Sequence, residues 1–312
     1  MVPLKLHIDP SFFLEEERNG FVVSAGMKRI WAVELDLLNE FARICEENGL
    51  KWFAHAGTML GAVRHQGFIP WDDDIDLIMP REDYERFCQL APTAISHPYF
   101  FQNEQTDRYF ARAFSRLRNS ETTAIFENEK DYRYPYNQGI FIDIFPMDHV
   151  PADPEERKRY YAGVADLNAH AIQWRTMIHF YRPKTGKGLG KRISYWLKHL
   201  YYKYVAHTDY RTYMDRHQAL ITRYNSEETG WVGESIIPRL GRQLWRTEWV
   251  SETVLMPFEM LQIRVPVHYE ECLAASFGAD WRTPKQIPNL HSGTLFDVDK
   301  PYTEYLKRNR YV

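Results

Sequence analysis

The sequence is poor in cysteine, has little net charge and contains no long apolar run. Its 312 residues include three cysteines, Cys45, Cys88 and Cys272, which are far apart and lack Cys-x-x-Cys spacing. Neither a disulfide framework nor a thiolate zinc site is therefore expected. No run approaches 18 apolar residues, and no basic stretch followed by an apolar one opens the chain, so we expect neither a membrane span nor a signal peptide. These features predict a protein of the reducing cytoplasm.

The formal net charge of −3 provides no general attraction to nucleic acid, and the sequence contains no internal repeat. The order of helix-like and strand-like patterns predicts an α+β fold, with a mixed β-sheet core, flanking helices and additional helical and C-terminal segments. We expect three units: a core over residues 1–150, a helical, basic and aromatic segment over 151–250, and a C-terminal unit over 251–312 that packs on the core.

Apolar spacing and turn residues place the elements of this fold. The chain from Met27 to Asn48 has the apolar period of a helix, and Asp153-Pro154-Glu155-Glu156 starts another that is predicted to reach about Ile178. Further helices are predicted over 58–65, from Pro80 to about Leu90 and over 269–277. Strands are predicted over 52–56, 74–79, 99–102, 110–118, 122–126 and 139–145.

Four carboxylates occupy five positions of the chain: Asp72, Asp73, Asp74 and Asp76. On a strand, residues i and i+2 share a face, so Asp72, Asp74 and Asp76 are predicted to point one way and Asp73 the other. Like charges on a half-buried strand repel and are costly to desolvate, whereas a hard cation such as Mg²⁺ would bind their oxygens. A solvated acidic turn is the alternative, but apolar residues interleave these acids. We therefore predict a metal site that handles phosphate.

The residues around these acids resemble those of known enzymes. Gly57-Thr58 followed by Asp74-Ile75-Asp76-Leu77 is similar to the Gly-Ser/Thr turn and Asp-x-Asp strand of the nucleotidyltransferase fold. The longer string G-T-x-L-G-x-x-R-H-x-G-F-I-P-W-D-D-D-I-D resembles more narrowly the LicD family of phosphocholine transferases, whose wider group includes fukutin-related protein. The resemblance is dense over residues 52–80 and recurs at 139–146 and, more loosely, over 255–281. It implies a nucleotidyltransferase-like core within residues 1–150.

The resemblance also implies a set of catalytic and metal-binding carboxylates. Asp74, Asp76 and Asp143 are expected to be the catalytic acids, and the same three with Asp72 are expected to bind Mg²⁺, for which Mn²⁺ could substitute. Asp143 lies in the apolar stretch 140–145, where an unpaired acid would be costly to bury. A buried aspartate that caps the turn at Pro146 is the alternative.

Four further residues are expected to bind substrate. Gly57 and Thr58 would bring their backbone N–H groups close to phosphate oxygens at a helix start. Arg64 is predicted to clamp a diphosphate through its guanidinium, with a surface salt bridge as the alternative. The neighbouring His65 is predicted to contact substrate, with a structural role as the alternative.

Two basic motifs could bind phosphate, and the sequence leaves the role of one open and argues against the other. Arg112, Arg116 and Arg118 alternate along a predicted strand, and they could extend a phosphate site or form a solvated strand face. The glycine-rich stretch 186–192 superficially resembles a P-loop. Its spacing is one residue short and the Ser/Thr after the lysine is missing, so we reject that interpretation.

The segment 179–216 combines positive charge with aromatic residues. It holds nine basic and two acidic residues, a local net charge of +7, and nine of its residues are aromatic. Its apolar residues keep helical spacing among the basic ones, as in a helix that lies on an anionic membrane. RNA binding and an ordinary amphipathic helix are the alternatives, and the overall charge argues against RNA. The apolar positions are Ile193, Trp196, Leu197, Leu200, Tyr201 and Tyr204.

The residues and the resemblance predict a metal-dependent transferase of the cytoplasm, with peripheral membrane contact as one interpretation of residues 179–216. The resemblance implies transfer of phosphocholine from CDP-choline to a hydroxyl of a glycan or lipid-linked glycan of the cell surface, without a nucleic-acid partner. CDP-ribitol, CDP-glycerol or CDP-ethanolamine as donor, and transfer of a nucleotide itself, are the alternatives among enzymes. A non-catalytic nucleotide-binding regulator is the alternative of another class.

Overall fold

The protein is described by a computed structural model, which covers residues 1–129, 134–179, 188–206, 209–236, 243–286 and 293–308. The predicted α+β class is confirmed, because helices flank a mixed sheet. The helices are α1 (Ala25–Glu47), α2 (Ala56–His65), α3 (Arg81–Ala94), α4 (Pro154–His179), α5 (Leu189–Tyr204), α6 (Tyr210–Ile221), α7 (Tyr269–Phe277) and α8 (Tyr302–Arg308). The first strands are β1 (Glu16–Arg18), β2 (Phe21–Val23), β3 (Phe53–Ala54), β4 (Asp76–Pro80), β5 (Tyr99–Gln102), β6 (Ser115–Asn119) and β7 (Thr123–Ile125). The later strands are β8 (Ile140–His149), β9 (Trp231–Gly233), β10 (Leu244–Arg246), β11 (Thr253–Phe258), β12 (Leu261–Pro266) and β13 (Leu295–Asp297).

Within the described residues, seven strands form the central sheet, and the long strand β8 is its centre. β4 lies parallel to β8 on one side, and β3 pairs antiparallel with β4 beyond it. On the other side, the first half of β8 pairs with β6, which is followed by β5. The last two residues of β8 pair with β9, which is followed by β10. The ends of β4 and β6 therefore meet at one stretch of β8.

Helix α1 packs against β6 and β8. Its start is capped by Ser24, whose hydroxyl accepts a hydrogen bond from the Met27 N–H. Apolar residues recur along the helix at the spacing that places them on the sheet side, and they are buried. This packing fixes the positions of the side chains on the buried face of the helix. One of them is an acidic side chain described below.

The segment after residue 150 is helical in part only. It contains α4, α5 and α6, but it also supplies β9 and β10 to the central sheet, so this sheet extends beyond residues 1–150. The β11–β12 hairpin contacts the core at residues 66–68, where the Glu259 N–H donates to the Gln66 carbonyl at 2.8 Å and Glu259 Oε1 accepts from the Phe68 N–H at 3.1 Å. The three-unit division stays a prediction. Among the described helices, none has the length and apolar character needed to span a bilayer.

Candidate active site

The aspartates lie in a loop and at the start of a strand. β4 begins at Asp76, and residues 72–75 before it have no regular structure. The predicted strand alternation is therefore wrong for Asp72, Asp73 and Asp74, because strand pairing starts only after them. The loop instead brings carboxylate oxygens of these three residues, here called the aspartate loop, within 4.8 Å of one another. Asp73, which was predicted to point away, belongs to this group and is buried.

Two helices hold the aspartate loop in place. At Gly57 in the first turn of α2, a Cβ atom would lie 2.6 Å from Asp72 Oδ2, so only glycine permits this carboxylate to approach the helix. On the other side, the indole Nε1 of Trp31 on α1 donates to the Asp72 carbonyl at 2.9 Å. The Thr58 hydroxyl accepts from the Asp76 N–H at 2.8 Å and so fixes the start of β4. The Gly-Thr pair therefore positions the acids directly.

Asp143 lies beside Asp76 because β4 and β8 pair in parallel with these two residues in register. Neighbouring strands are about 4.8 Å apart, and residues in register direct their side chains to the same face. The Asp143 carboxylate accepts from Arg116 Nε at 2.5 Å and from Arg116 Nη2 at 3.2 Å, and both residues are buried. Asp143 is therefore paired with an arginine rather than capping the turn at Pro146, and the alternative role is wrong.

Glu34 is a sixth carboxyl group at this site, and sequence reasoning missed it. It lies one turn after Trp31 on α1, is 1% exposed, and its Oε2 has no hydrogen-bond partner. Its pKa is raised well above the ordinary value by burial and then by the charges of the four aspartates, those of Asp73 and Asp74 being the largest. An acid between Val33 and Leu35 in an apolar helix was the available signal.

The chemistry of these groups fits a hard divalent cation. Burial, followed by the charge of Asp74, also raises the pKa of Asp72 well above its ordinary value. Several carboxylates thus face one another where proton uptake or a bound cation must offset their repulsion. Their oxygen atoms are the ligands that Mg²⁺ and Mn²⁺ prefer. Residues Asp72, Asp74, Asp76 and Asp143 remain the predicted ligands, with Asp73 and Glu34 adjacent to them.

Arg64 and His65 lie at the other end of α2 from Gly57, about 10 Å along the helix axis at 1.5 Å per residue. Arg64 Nε donates to His65 Nε2 at 2.8 Å, and Arg64 Nη1 donates to the Trp281 carbonyl at 3.1 Å. Burial, helped by the charges of Arg64 and Arg18, lowers the pKa of His65 to about 4, so its ring is neutral at pH 7. The structure does not bring these two residues to the aspartates, and their binding of substrate stays a prediction. Gly57 and Thr58, in contrast, are at the acids.

The strand β6 is buried along its whole length. Arg116 and Arg118 are therefore buried, and the predicted alternative of a solvated strand face is wrong for them. Arg118 Nε donates to Gln102 Oε1 at 2.5 Å, and burial with the charge of Arg116 lowers its pKa to about 9. Arg112 lies before the strand and is partly exposed.

Residues 49–161 match a family model described as "LicD/FKTN/FKRP, nucleotidyltransferase domain". A protein of Haemophilus influenzae named lipopolysaccharide cholinephosphotransferase LicD is 33% identical over 129 residues, which are 39% of this chain and 44% of that relative. Residues 49–161 of the chain therefore form a LicD-type domain. An uncharacterized protein of Rickettsia typhi is 43% identical over 154 residues, which are 47% of this chain and 48% of the relative. An uncharacterized protein of Rickettsia prowazekii is 27% identical over 159 residues, with 47% and 57% covered.

The matched segments thus span about half of the length of these curated relatives. The LicD-type domain contains α2, the aspartate loop, β4, and β8 with Asp143. Glu34 lies before the matched residues and Trp281 after them. The family domain therefore carries the predicted carboxylates, and the part of the chain before it supplies Trp31 and Glu34, which hold or surround them.

Proposed function

We propose that this protein is a LicD-type phosphotransferase that transfers phosphocholine from CDP-choline to a hydroxyl of a glycan or lipid-linked glycan, with Mg²⁺ or Mn²⁺ as cofactor. The observation that carries the proposal is the aspartate loop, packed on Gly57 beside the register pair Asp76 and Asp143. The name of the Haemophilus relative supports phosphocholine as the group and a lipopolysaccharide-type acceptor.

The positions of the aspartates and of the start of α2 suggest a role for each in the proposed reaction. Asp72, Asp74, Asp76 and Asp143 would hold the metal, which when bound neutralises phosphate charge and orients the in-line displacement. In the reaction, the acceptor oxygen forms a bond to the phosphorus of phosphocholine, and the bond from that phosphorus to the oxygen of CMP breaks. One of the carboxylates takes the proton of the acceptor hydroxyl, and CMP leaves. The first N–H groups of α2, at Gly57 and Thr58, would donate to phosphate oxygens there.

Thermal shift with CDP-alcohols tests the donor. A ligand at about 100 times its dissociation constant stabilises a protein by roughly 2.7 kcal/mol. With Mg²⁺ or Mn²⁺, CDP-choline should stabilise more than CTP or CMP, because the alcohol end adds contacts. Equal shifts with CTP and CDP-choline would favour transfer of a nucleotide. Larger shifts with CDP-ribitol, CDP-glycerol or CDP-ethanolamine would replace the donor and keep the reaction class.

Turnover tests catalysis separately from binding. CMP release from CDP-choline, followed by ³¹P NMR with a bacterial lipopolysaccharide preparation as acceptor, should require the divalent cation. Asp74→Asn and Asp76→Asn should fold normally and release at least about 100-fold less CMP. Donor binding without CMP release under every condition would favour the non-catalytic regulator. Full activity in either variant would contradict the catalytic assignment.

We also propose that the protein works in the cytoplasm at an anionic membrane surface, through α5. One face of α5 packs on α4: Tyr202 is buried and donates to Gln173 Oε1 at 3.0 Å, and His199 Nδ1 donates to the Met177 carbonyl at 2.6 Å. At about 100° per residue, Leu197 and Tyr204 lie on the opposite face. They are 53% and 61% exposed. The predicted apolar stripe is thus at the surface, except for the half-buried Leu200.

The positive charge of α5 favours an anionic membrane as the partner of this face. The described residues 188–206 contain Lys191, Arg192, Lys198 and Lys203 and no acidic residue. Each basic residue near an anionic surface contributes on the order of 1 kcal/mol. The predicted basic residues Arg182, Lys184 and Lys187 lie outside the described part of the chain.

Co-sedimentation with liposomes tests this proposal. Binding to liposomes that contain phosphatidylglycerol should occur at low salt and weaken as salt rises, whereas phosphatidylcholine liposomes should bind poorly. Lys191→Glu with Arg192→Glu should release the protein and leave CMP release unchanged. The matched control is Lys158→Glu with Arg159→Glu, an exposed Lys-Arg pair on α4. Equal release by both double variants, or no binding at low salt, would contradict the proposal.

A further inference from the structure

Four arginines surround the side of β8 that carries Asp143. Arg116 and Arg118 lie over the ring of Phe141, with their guanidinium carbons 3.9 and 4.8 Å from its centroid. The other two, Arg112 and Arg175, come from the loop before β6 and from α4. This group of Arg112, Arg116, Arg118 and Arg175 is here called the arginine cluster.

Arg175 joins α4 to the loop before β6. It is 2% exposed, and its Nη1 donates to the carbonyls of Tyr109 and Phe110 at 2.6 and 2.9 Å. Its guanidinium carbon is 4.8 Å from the centroid of the Tyr134 ring, and its buried Nε has no hydrogen-bond partner. A buried guanidinium with an unused donor is costly unless a further acceptor reaches it.

Arg112 follows directly in the same loop. Among the described residues, no group forms a hydrogen bond or ion pair with its guanidinium, and the residue is partly exposed. The loop holds Tyr109 and Ala111 at φ values of 75° and 46°, a left-handed backbone that costs free energy for such residues. Backbone of this kind is found at ligand clamps more often than elsewhere.

Two carboxylates of the described residues act on the cluster, Asp143 and Glu129. Within the described part of the chain, Arg116 alone of the four forms a salt bridge, with Asp143. The pKa of Arg112 is lowered by burial and then by the charge of Arg175, while Glu129 acts in the opposite direction. Positive groups held together in this way are a ready site for a strongly charged anion, and guanidinium groups match phosphate oxygens in geometry.

We propose that Arg112, Arg116 and Arg175 form a subsite for a phosphate-bearing group of a substrate, next to the carboxylate site. The proposal rests on the proposed function for the identity of that substrate, because both a CDP-alcohol donor and a phosphorylated glycan acceptor carry such a group. Arg116 links the two sites, since the guanidinium that bonds to Asp143 also belongs to the cluster. Arg175 Nε is a buried donor without a partner among the described residues, and the guanidinium of Arg112, beside it, forms no hydrogen bond within the same part of the chain.

Isothermal titration with inorganic pyrophosphate in EDTA isolates this subsite from the metal site. Wild-type protein should bind pyrophosphate, and Arg112→Ala should bind it at least about tenfold more weakly, as expected for loss of a charge-assisted hydrogen bond. Arg112→Lys should be intermediate, because lysine keeps the charge and loses the fork of donors. The melting temperature of Arg112→Ala should be unchanged or higher, since no bond within the protein is lost and a like charge is removed.

The matched control is Arg86→Ala, which removes the same charge from an exposed arginine on α3 that pairs with Asp83. It should bind pyrophosphate as the wild type does. No binding by the wild type, or equal binding by Arg112→Ala, would overturn the subsite.

Titration with CDP-choline and Mg²⁺ identifies the source of the phosphate. A tenfold loss with Arg112→Ala for both ligands would support the donor diphosphate. A loss for pyrophosphate alone would support an acceptor phosphate. Arg112-dependent pyrophosphate binding by a protein that does not bind CDP-choline would leave the subsite standing and contradict the proposed function.

Discussion

Gly57→Ala tests whether the distance between α2 and the aspartate loop matters for the chemistry. The new Cβ would lie 2.6 Å from Asp72 Oδ2, whereas ordinary contacts begin at 3.4 Å, so the carboxylate must move by about 0.8 Å. A displacement of about 1 Å in a reacting group can cost about 100-fold in rate. We therefore expect CMP release from CDP-choline to fall about 100-fold, and Mn²⁺ affinity to fall at least about tenfold.

Gly26→Ala is the matched control, because Gly26 is the second residue of α1 as Gly57 is of α2. The nearest atom to a Cβ there is Ser24 Oγ at 3.7 Å, an ordinary contact. Alanine is favoured over glycine in helices by up to about 1 kcal/mol, so Gly26→Ala should raise the melting temperature and leave activity and Mn²⁺ binding unchanged. If Gly57→Ala gave the same gain in stability with full activity, the close approach of Asp72 to α2 would have no functional meaning.

Two further predictions concern the same region. Thr58→Val should lower the free energy of unfolding by about 1–3 kcal/mol in urea titrations, because the partly buried Asp76 N–H loses its acceptor. Thr58→Ser keeps the hydroxyl and should not lower it; equal stability of the two variants would refute this. In EDTA, the folded protein binds protons at Asp72 and Glu34 that the unfolded chain has lost, since their pKa values are raised. Its melting temperature should therefore fall as pH rises from about 4 through those raised values, with a smaller fall in Glu34→Gln, and an equal slope in both proteins would be the contrary result.

Much of the core could be predicted from local patterns. The strand Tyr99–Gln102 and the helix Tyr269–Phe277 have the predicted bounds, and α1, α2 and α4 begin and end within about two residues of their predicted limits. Asp143 was found because an acid inside an apolar strand needs a partner, although the sequence did not indicate that Arg116 is that partner. The pairing of β6 with β8 brings Arg116 and Asp143 together, and the local sequence pattern of either strand does not indicate this register.

The errors at the site also have physical causes. The two-residue alternation was applied to Asp72, Asp73 and Asp74, but these residues precede the first residue of β4 and are placed by contacts with α1 and α2. Glu34 was missed because its role depends on where α1 packs, which the sequence pattern of the helix does not contain. Arg64 belongs to the recognised motif, yet it lies seven positions after Gly57 at the other end of the helix. Residues of one continuous sequence motif can thus lie at opposite ends of one helix, and only those at the first end are at the aspartates.

The binding of Mn²⁺ to the metal-free protein tests the central claim most directly, because it needs neither donor nor acceptor. By isothermal titration, the wild type should bind Mn²⁺, and Asp74→Asn should bind it at least about tenfold more weakly, a loss of about 1.4 kcal/mol. The variant should melt at the same or a higher temperature in EDTA, since it removes one of several mutually repelling acids. Asp166→Asn, at an aspartate on α4 whose side chain is 68% exposed, is the control and should bind as the wild type does. Equal Mn²⁺ affinity of the wild type and Asp74→Asn would contradict the assignment of the aspartate loop as the metal site.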